Sequence, residues 1–229
     1  MTKNAWNTTF PTANGQLLIA RASGSPVWAT LSQGTDTTIT NGAGSISFAF
    51  ASGSGDFVFI SSATASSSSE ITFTGLSSTY DTYMVLMDNV QPATDSVSLY
   101  LRTSTNNGSS YDSGASDYSY SYIDINTTED PRGSTGTTQI ALAGLSTNEE
   151  LGNNTNEKLS GQLFLMKPSA AQYSKITFHG NYHDKSGQQN LIWCGGARKS
   201  AADVDAIRFF MSSGNISTGT FKLYGMVAT

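Results

Sequence analysis

Beyond residue 69 the chain never holds one hydropathy pattern for longer than a short strand before a turn-forming cluster interrupts it. In 70–76, Ile71 and Phe73 alternate with polar residues. In 96–102, Val97, Leu99 and Leu101 share one side, while 83–88 (YMVLMD) is a continuous buried-type run. Similar runs follow at 118–125, 138–142, 160–166, 175–182, 189–194, 206–211 and 220–226. The breaks are rich in Gly, Asn, Asp and Ser, as in Thr105-Asn106-Asn107-Gly108, Lys185-Ser186-Gly187 and Ser213-Gly214-Asn215. Period two means that successive side chains point to opposite faces, which is the mark of half-buried strands. Only 146–151 and 201–205 could each make one helical turn, and no βα unit recurs. A parallel doubly wound sheet is therefore excluded, and a two-sheet antiparallel sandwich of jelly-roll type is expected.

The first part of the chain is thinner. Gln16-Leu17-Leu18-Ile19 and Val27-Trp28-Ala29-Thr30-Leu31 are split by Ala22-Ser23-Gly24-Ser25-Pro26. Two further strands, 35–40 and 45–50, are split by Asn41-Gly42-Ala43-Gly44, where Asn-Gly suits the positive φ angles of a tight hairpin turn. Such short strands cannot bury a core alone and need cover from another chain or a following domain. The polar arm 1–14 carries two apolar anchors, Trp6 and Phe10, and Phe10-Pro11 ends it in extended geometry. Residues 51–55 read as a hinge, 56–60 as a strand and 61–69 as a Ser/Ala-rich linker. Two domains follow: an N-terminal arm and attachment or oligomerisation β module over 1–68, and a sandwich body over 69–229. Trp6, Phe10, Leu18 and Trp28 are the expected subunit contacts.

The stretch 15–50, GQLLI-x(4)-G-x-PVWATLSQGT-x(3)-ITNGAGSISF, resembles a segment of fibre and other structural proteins of tailed bacteriophages. Ala20 departs from a usual Gly, as does Asp36-Thr37-Thr38. The later blocks, ITFTGL…YMVLMDNVQPATD…LYLRTSTNNGSSYDSGASDY and IRFFMSSGNISTGTFKLYGM, are similar to small β-sandwich proteins that recur in tailed-phage genomes. The resemblance implies a virion structural protein in which the 15–50 unit stands as a small β element, often in a trimeric shaft or connector.

Composition narrows the function classes. The net charge is −5, with 13% charged residues, and no cluster of Lys or Arg supplies the basic face that nucleic acid requires. Arg198-Lys199, the densest basic spot, reads as a solvated strand end. No apolar run approaches a membrane span, and no apolar segment marks a signal peptide. Ser, Thr, Asn and Gly dominate the polar positions and imply a neutral shell, suited to crowded packing or sugar contacts. Cys194, the single cysteine, lies in an apolar run and reads as a buried, inert thiol, in keeping with assembly in the host cytoplasm.

Chemistry-bearing patterns are sparse. His179 and His183 share a strand face but stand ~13 Å apart, too far to hold one metal within a single chain. Asp112-Ser113-Gly114-Ala115-Ser116-Asp117 and Thr128-Glu129-Asp130 do not fit calcium-loop spacing, and their acids read as turn formers. No sequence signal pairs two carboxylates for glycoside hydrolysis, and no nucleophile elbow, phosphate loop or dinucleotide fingerprint is present. No catalytic residue, metal or cofactor is expected. Tyr118, Tyr120 and Tyr122 line up at period two. They read either as a surface aromatic strip for sugar or protein, or as a strip packed against the other sheet, and the enrichment of aromatics in strands favours the second. The expected protein is non-enzymatic: a capsid decoration (cement) protein on the outer surface of a virion, trimeric, docked on itself and on the major capsid protein. The alternative is a trimeric tail fibre or spike that binds host glycan.

Overall fold

The computed structural model describes residues 11, 13, 16–19, 26–32, 37–42, 45–50, 57–126 and 129–227. These form two compact units, Met1–Gly53 and Ser54–Thr229. Among the described residues there is no helix, and 146–151 and 201–205 contain turns, bends, a lone bridge at Leu151 and a strand end.

The first unit contains two antiparallel hairpins. β1 (Gln16–Ile19) pairs with β2 (Val27–Thr30), placing Leu18 opposite Trp28. β3 (Thr37–Gly42) pairs with β4 (Ser45–Phe50). Asn41 and Gly42 pair with Ile46 and Ser45, so both belong to the strand ladder and not to the turn expected of them.

The second unit is an antiparallel β-sandwich. Its strands are β5 (Phe57–Ser68), β6 (Ile71–Thr74), β7 (Tyr80–Pro92), β8 (Leu99–Ser104), β9 (Tyr118–Ile125), β10 (Glu129–Thr137), β11 (Ile140–Ala143), β12 (Leu159–Met166), β13 (Tyr173–His183), β14 (Gln189–Ala201), β15 (Ala206–Met211) and β16 (Ile216–Val227). One sheet runs β10-β9-β14-β13-β12-β7-β16-β5 and the other β11-β8-β15-β6. From β6 to β9 each strand lies in the sheet opposite its predecessor. The chain then enters the small sheet again at β11 and β15. This weaving is the jelly-roll pattern, with the meander β12-β13-β14 standing where one strand would suffice.

The core lies between the sheets. Phe178, Leu163, Leu165, Val85 and Phe221 of the large sheet meet Leu99, Leu101, Ile207 and Phe209 of the small one, all of them buried. Phe209 and Phe221 touch across the layers with centroids 5.3 Å apart. Gly219 holds φ +136°, and a Cβ there would strike the Val90 backbone at 2.7 Å, so only glycine lets β16 approach β7 so closely.

The division between the units falls near residue 53, not at 68. The Ser/Ala-rich run expected to be a linker is the body of β5, hydrogen-bonded along β16. Small residues suit it: Ala63 stands opposite Phe221 and Ala65 opposite Gly219. β10 has the same character, with Pro131 inside it, and carries no strand signal in the sequence. β5 and β10 are the two edges of the large sheet. An edge strand has one unpaired side, so it tolerates proline and needs little apolar content.

Candidate interaction surfaces

Of the expected subunit contacts, Trp6 and Phe10 lie outside the described residues. Leu18 and Trp28 are cross-strand partners in the first hairpin; Leu18 is exposed and Trp28 half-buried. Leu17 and Leu18 are neighbours and point to opposite faces, yet each is 42% exposed. Both faces of this hairpin are therefore open. In the second hairpin Phe48 is 56% exposed. Exposure of large apolar side chains then continues into the start of β5, at Phe57, Phe59 and Ile60.

The surface tyrosine strip is not present. Tyr118 and Tyr122 are buried and Tyr120 packs against the core, because this side of β9 faces the small sheet. The Tyr118 hydroxyl accepts from the Thr103 backbone N–H at 2.8 Å, fastening β9 to β8. The Tyr122 hydroxyl donates to Asp124 Oδ2 at 2.7 Å, and Tyr182 from β13 reaches the same oxygen. Tyr182 Oη also lies 2.7 Å from the Glu149 carbonyl. Asp124 Oδ1 and Glu149 Oε2 are buried without a hydrogen-bond partner. Burial pushes the Asp124 carboxyl up from its ordinary value, against the two tyrosine hydrogen bonds. Glu149 is pushed up by burial first and by the Asp124 charge second. This knot of polar groups ties β9 and β13 to the loop that carries Glu149. Sequence reasoning missed it, since Asp124 and Glu149 are 25 positions apart and neither sits in a recognisable motif.

Arg198 is not a solvated strand end. It is buried, and its Nε donates to Asp112 Oδ2 at 2.5 Å. Asp112 is thus committed to an ion pair, while Asp117 Oδ2 accepts from the Gly114 N–H at 2.5 Å and shapes its turn. Cys194 is buried; its Sγ–H donates to the Ala141 carbonyl at 3.2 Å, and burial pushes the thiol up to about 12. A thiol so poor in thiolate is inert as a nucleophile. His179 and His183 share β13, and no metal-holding group of His, Cys, Asp or Glu occurs among the described residues.

The outward face of the large sheet offers the other surface. Trp193 of β14 is 57% exposed, the largest exposure among the large apolar side chains of the described residues, and its ring lies 5.1 Å from that of His179 on β13. Two positions along each strand, Gly195 and Thr177 pair and open a hollow of about 880 Å³. Its floor is small and neutral: Ser119, Ser121, Thr177, Gly195 and Ala197. β10 forms one wall, where its ladder to β9 slips between Ser134 and Thr137, and Lys199 Nζ donates to the Thr135 carbonyl at 2.6 Å. Met166 and Lys175 form the opposite wall.

Set against protein-family models, curated proteins and solved structures, the chain matches none.

Proposed function

We propose that this chain is a non-enzymatic structural protein of a tailed-phage particle, a decoration protein on the outer head surface. Copies join through the first unit, as a homotrimer, and the sandwich forms the outer body. One observation carries the reading. Of the eleven large apolar side chains exposed among the described residues, five lie in the short hairpins, Leu17, Leu18, Ile19, Val27 and Phe48, and three more at the start of the sandwich's edge strand β5, Phe57, Phe59 and Ile60. The sandwich is self-sufficient, whereas the hairpins leave apolar surface on both faces, and such surface marks a place where chains meet. Association then stabilises the shell by mass action, since every copy that binds the assembled state but not the free subunits shifts the equilibrium towards assembly. The resemblance of 15–50 to phage shaft and connector segments supports a phage particle as the setting.

The alternative reading is a trimeric fibre or spike head that contacts host glycan, and the exposed Trp193 beside a neutral hollow favours it. Quantitative mass spectrometry of purified particles separates the two. A copy number comparable with that of the shell subunit supports decoration, a few copies per particle support the fibre, and absence from the particle overturns both.

A further inference from the structure

We infer that the outward face of β13 and β14 is a binding site for a neutral oligosaccharide, with Trp193 as its stacking platform. This deepens the fibre reading and rests on it: the chain must face a host surface. The site runs along the two strands from Lys175 and Ala197, past Thr177 and Gly195, to His179 and Trp193, and on to Asn181 and Leu191. Six residue steps at the strand rise give a track of roughly 20 Å. Beyond Trp193 a second hollow of about 340 Å³ is lined by Gln162, Asn181 and Leu191. The indole–imidazole pair, its rings tilted by 37°, is thus a ridge between two hollows.

The chemistry of the track selects the ligand class. A sugar ring has one apolar face of C–H groups and a rim of hydroxyls. An open indole face supplies the apolar partner, and a buried indole would not. The hollow beside it presents hydroxyls from Ser119, Ser121 and Thr177. Each hydroxyl can both donate and accept, which suits the hydroxyl rim of a sugar. Lys175 is the one charged residue lining the larger hollow, and the smaller has only His179, Gln162 and Asn181 as polar side chains beside Ser160. An anionic ligand would find Lys175 alone in the lining, with Lys199 held by the Thr135 carbonyl at the β10 wall, and a cationic one no acid. Gly195 keeps the floor low: a Cβ there would meet nothing within 4 Å. A side chain at this position would fill the hollow from within and leave the sandwich packing untouched.

The test uses the full chain on an array of immobilised neutral and anionic oligosaccharides, followed by titration of the best binder against Trp193→Ala and Gly195→Arg. Both variants should melt with the parent chain. The expected result is capture of neutral saccharides, about a tenfold loss in affinity for Trp193→Ala, the scale of one aromatic stack, and abolition for Gly195→Arg. Failure to capture any saccharide, preference for anionic ones, or unchanged binding by both variants overturns the site. Adsorption of the chain to host cells tells the site from the reading beneath it. Adsorption that survives periodate oxidation of cell-surface sugars but not protease leaves the fibre reading standing with a protein receptor and sinks the saccharide site. No adsorption at all removes the fibre reading itself.

Discussion

Leu18 of β1 and Leu101 of β8 are the same side chain in the same local setting, a short antiparallel strand, yet Leu18 is 42% exposed and Leu101 wholly buried. The difference is not in propensity or alternation. Leu101 stands in a four-stranded sheet covered by an eight-stranded one, with Phe209 paired to it across the ladder. Leu18 stands in a two-stranded ribbon and has only Trp28 as its cross-strand partner. A strand acquires a buried face from the layer above it, and a ribbon has no such layer. The sandwich brings its cover with it, whereas the hairpins show no such layer among the described residues.

The largest effect belongs to the layer contact itself. Phe209→Ala removes a wholly buried ring that packs on Phe221 from the other sheet, so the sandwich should lose about 3–5 kcal/mol. Chemical denaturation followed by tryptophan fluorescence measures it. A loss under ~1 kcal/mol would mean that the two sheets are not held by this contact, because even mild core truncations usually cost that much.

Next comes the buried charge. Asp112→Asn leaves the Arg198 guanidinium inside the sandwich without its counter-charge, and a loss of about 1.5–3 kcal/mol follows from the removed charge-assisted hydrogen bond. The double variant Asp112→Asn/Arg198→Met should recover part of it, because the stranded charge is gone. Thermal melts of the three variants and the parent chain decide. An Asp112→Asn chain as stable as the parent would return Arg198 to the solvent-exposed role expected from sequence.

A smaller, pH-dependent effect comes from the carboxyls beside Tyr182. Asp124 and Glu149 both have folded values raised by burial, so the folded chain favours their neutral forms. Between the ordinary carboxylate range and those raised values the folded state binds more protons than the unfolded one. Stability should therefore fall as pH rises through that window, and the contribution is fully present only below it. Asp124→Asn keeps the acceptor for Tyr122 and removes the ionisation, so its pH slope should be shallower. Melting temperature against pH, from acid to neutral, reads this directly, and an unchanged slope in Asp124→Asn would assign the titration elsewhere. No Asp, Glu or His lies among the described residues of the hairpins.

The legibility of the chain follows the same division. β9 and β15 were readable to the residue, because covered strands must alternate or run apolar, and that pattern survives in the sequence. β5 was readable only at its start, 57–60, and its continuation to Ser68 and the whole of β10 were not, because an edge with small or polar residues is chemically indistinguishable from a linker until its partner strand is known. The tyrosine row of β9 shows a second limit. Period two places Tyr118 and Tyr122 on one face, but whether that face meets solvent or the other sheet is decided by topology. Trp193 is the converse case. It sits in an apolar run that reads as a buried strand, and pairing with β9 and β13 turns it outward while Cys194 turns in. The Arg198–Asp112 and Asp124–Tyr182 contacts span 86 and 58 positions and left no local trace.

The smallest expected change is the one that discriminates best. Trp28→Ala removes the largest side chain of the first hairpin, in the unit that clusters apart from the sandwich. If the hairpins serve association, the unfolding free energy of the sandwich should move by no more than ~0.5 kcal/mol, as for a substitution remote from its core. Over the same range the oligomer should dissociate at a higher protein concentration than the parent, because a large aromatic at a contact between chains is a common hot spot. Light scattering across a dilution series reads the second quantity and denaturation of the same sample the first. Parallel losses in both would mean that Trp28 belongs to the fold of the body, and the contrast between Leu18 and Leu101 would then be one of degree. Loss of assembly alone would place the missing cover of the hairpins on the neighbouring copies.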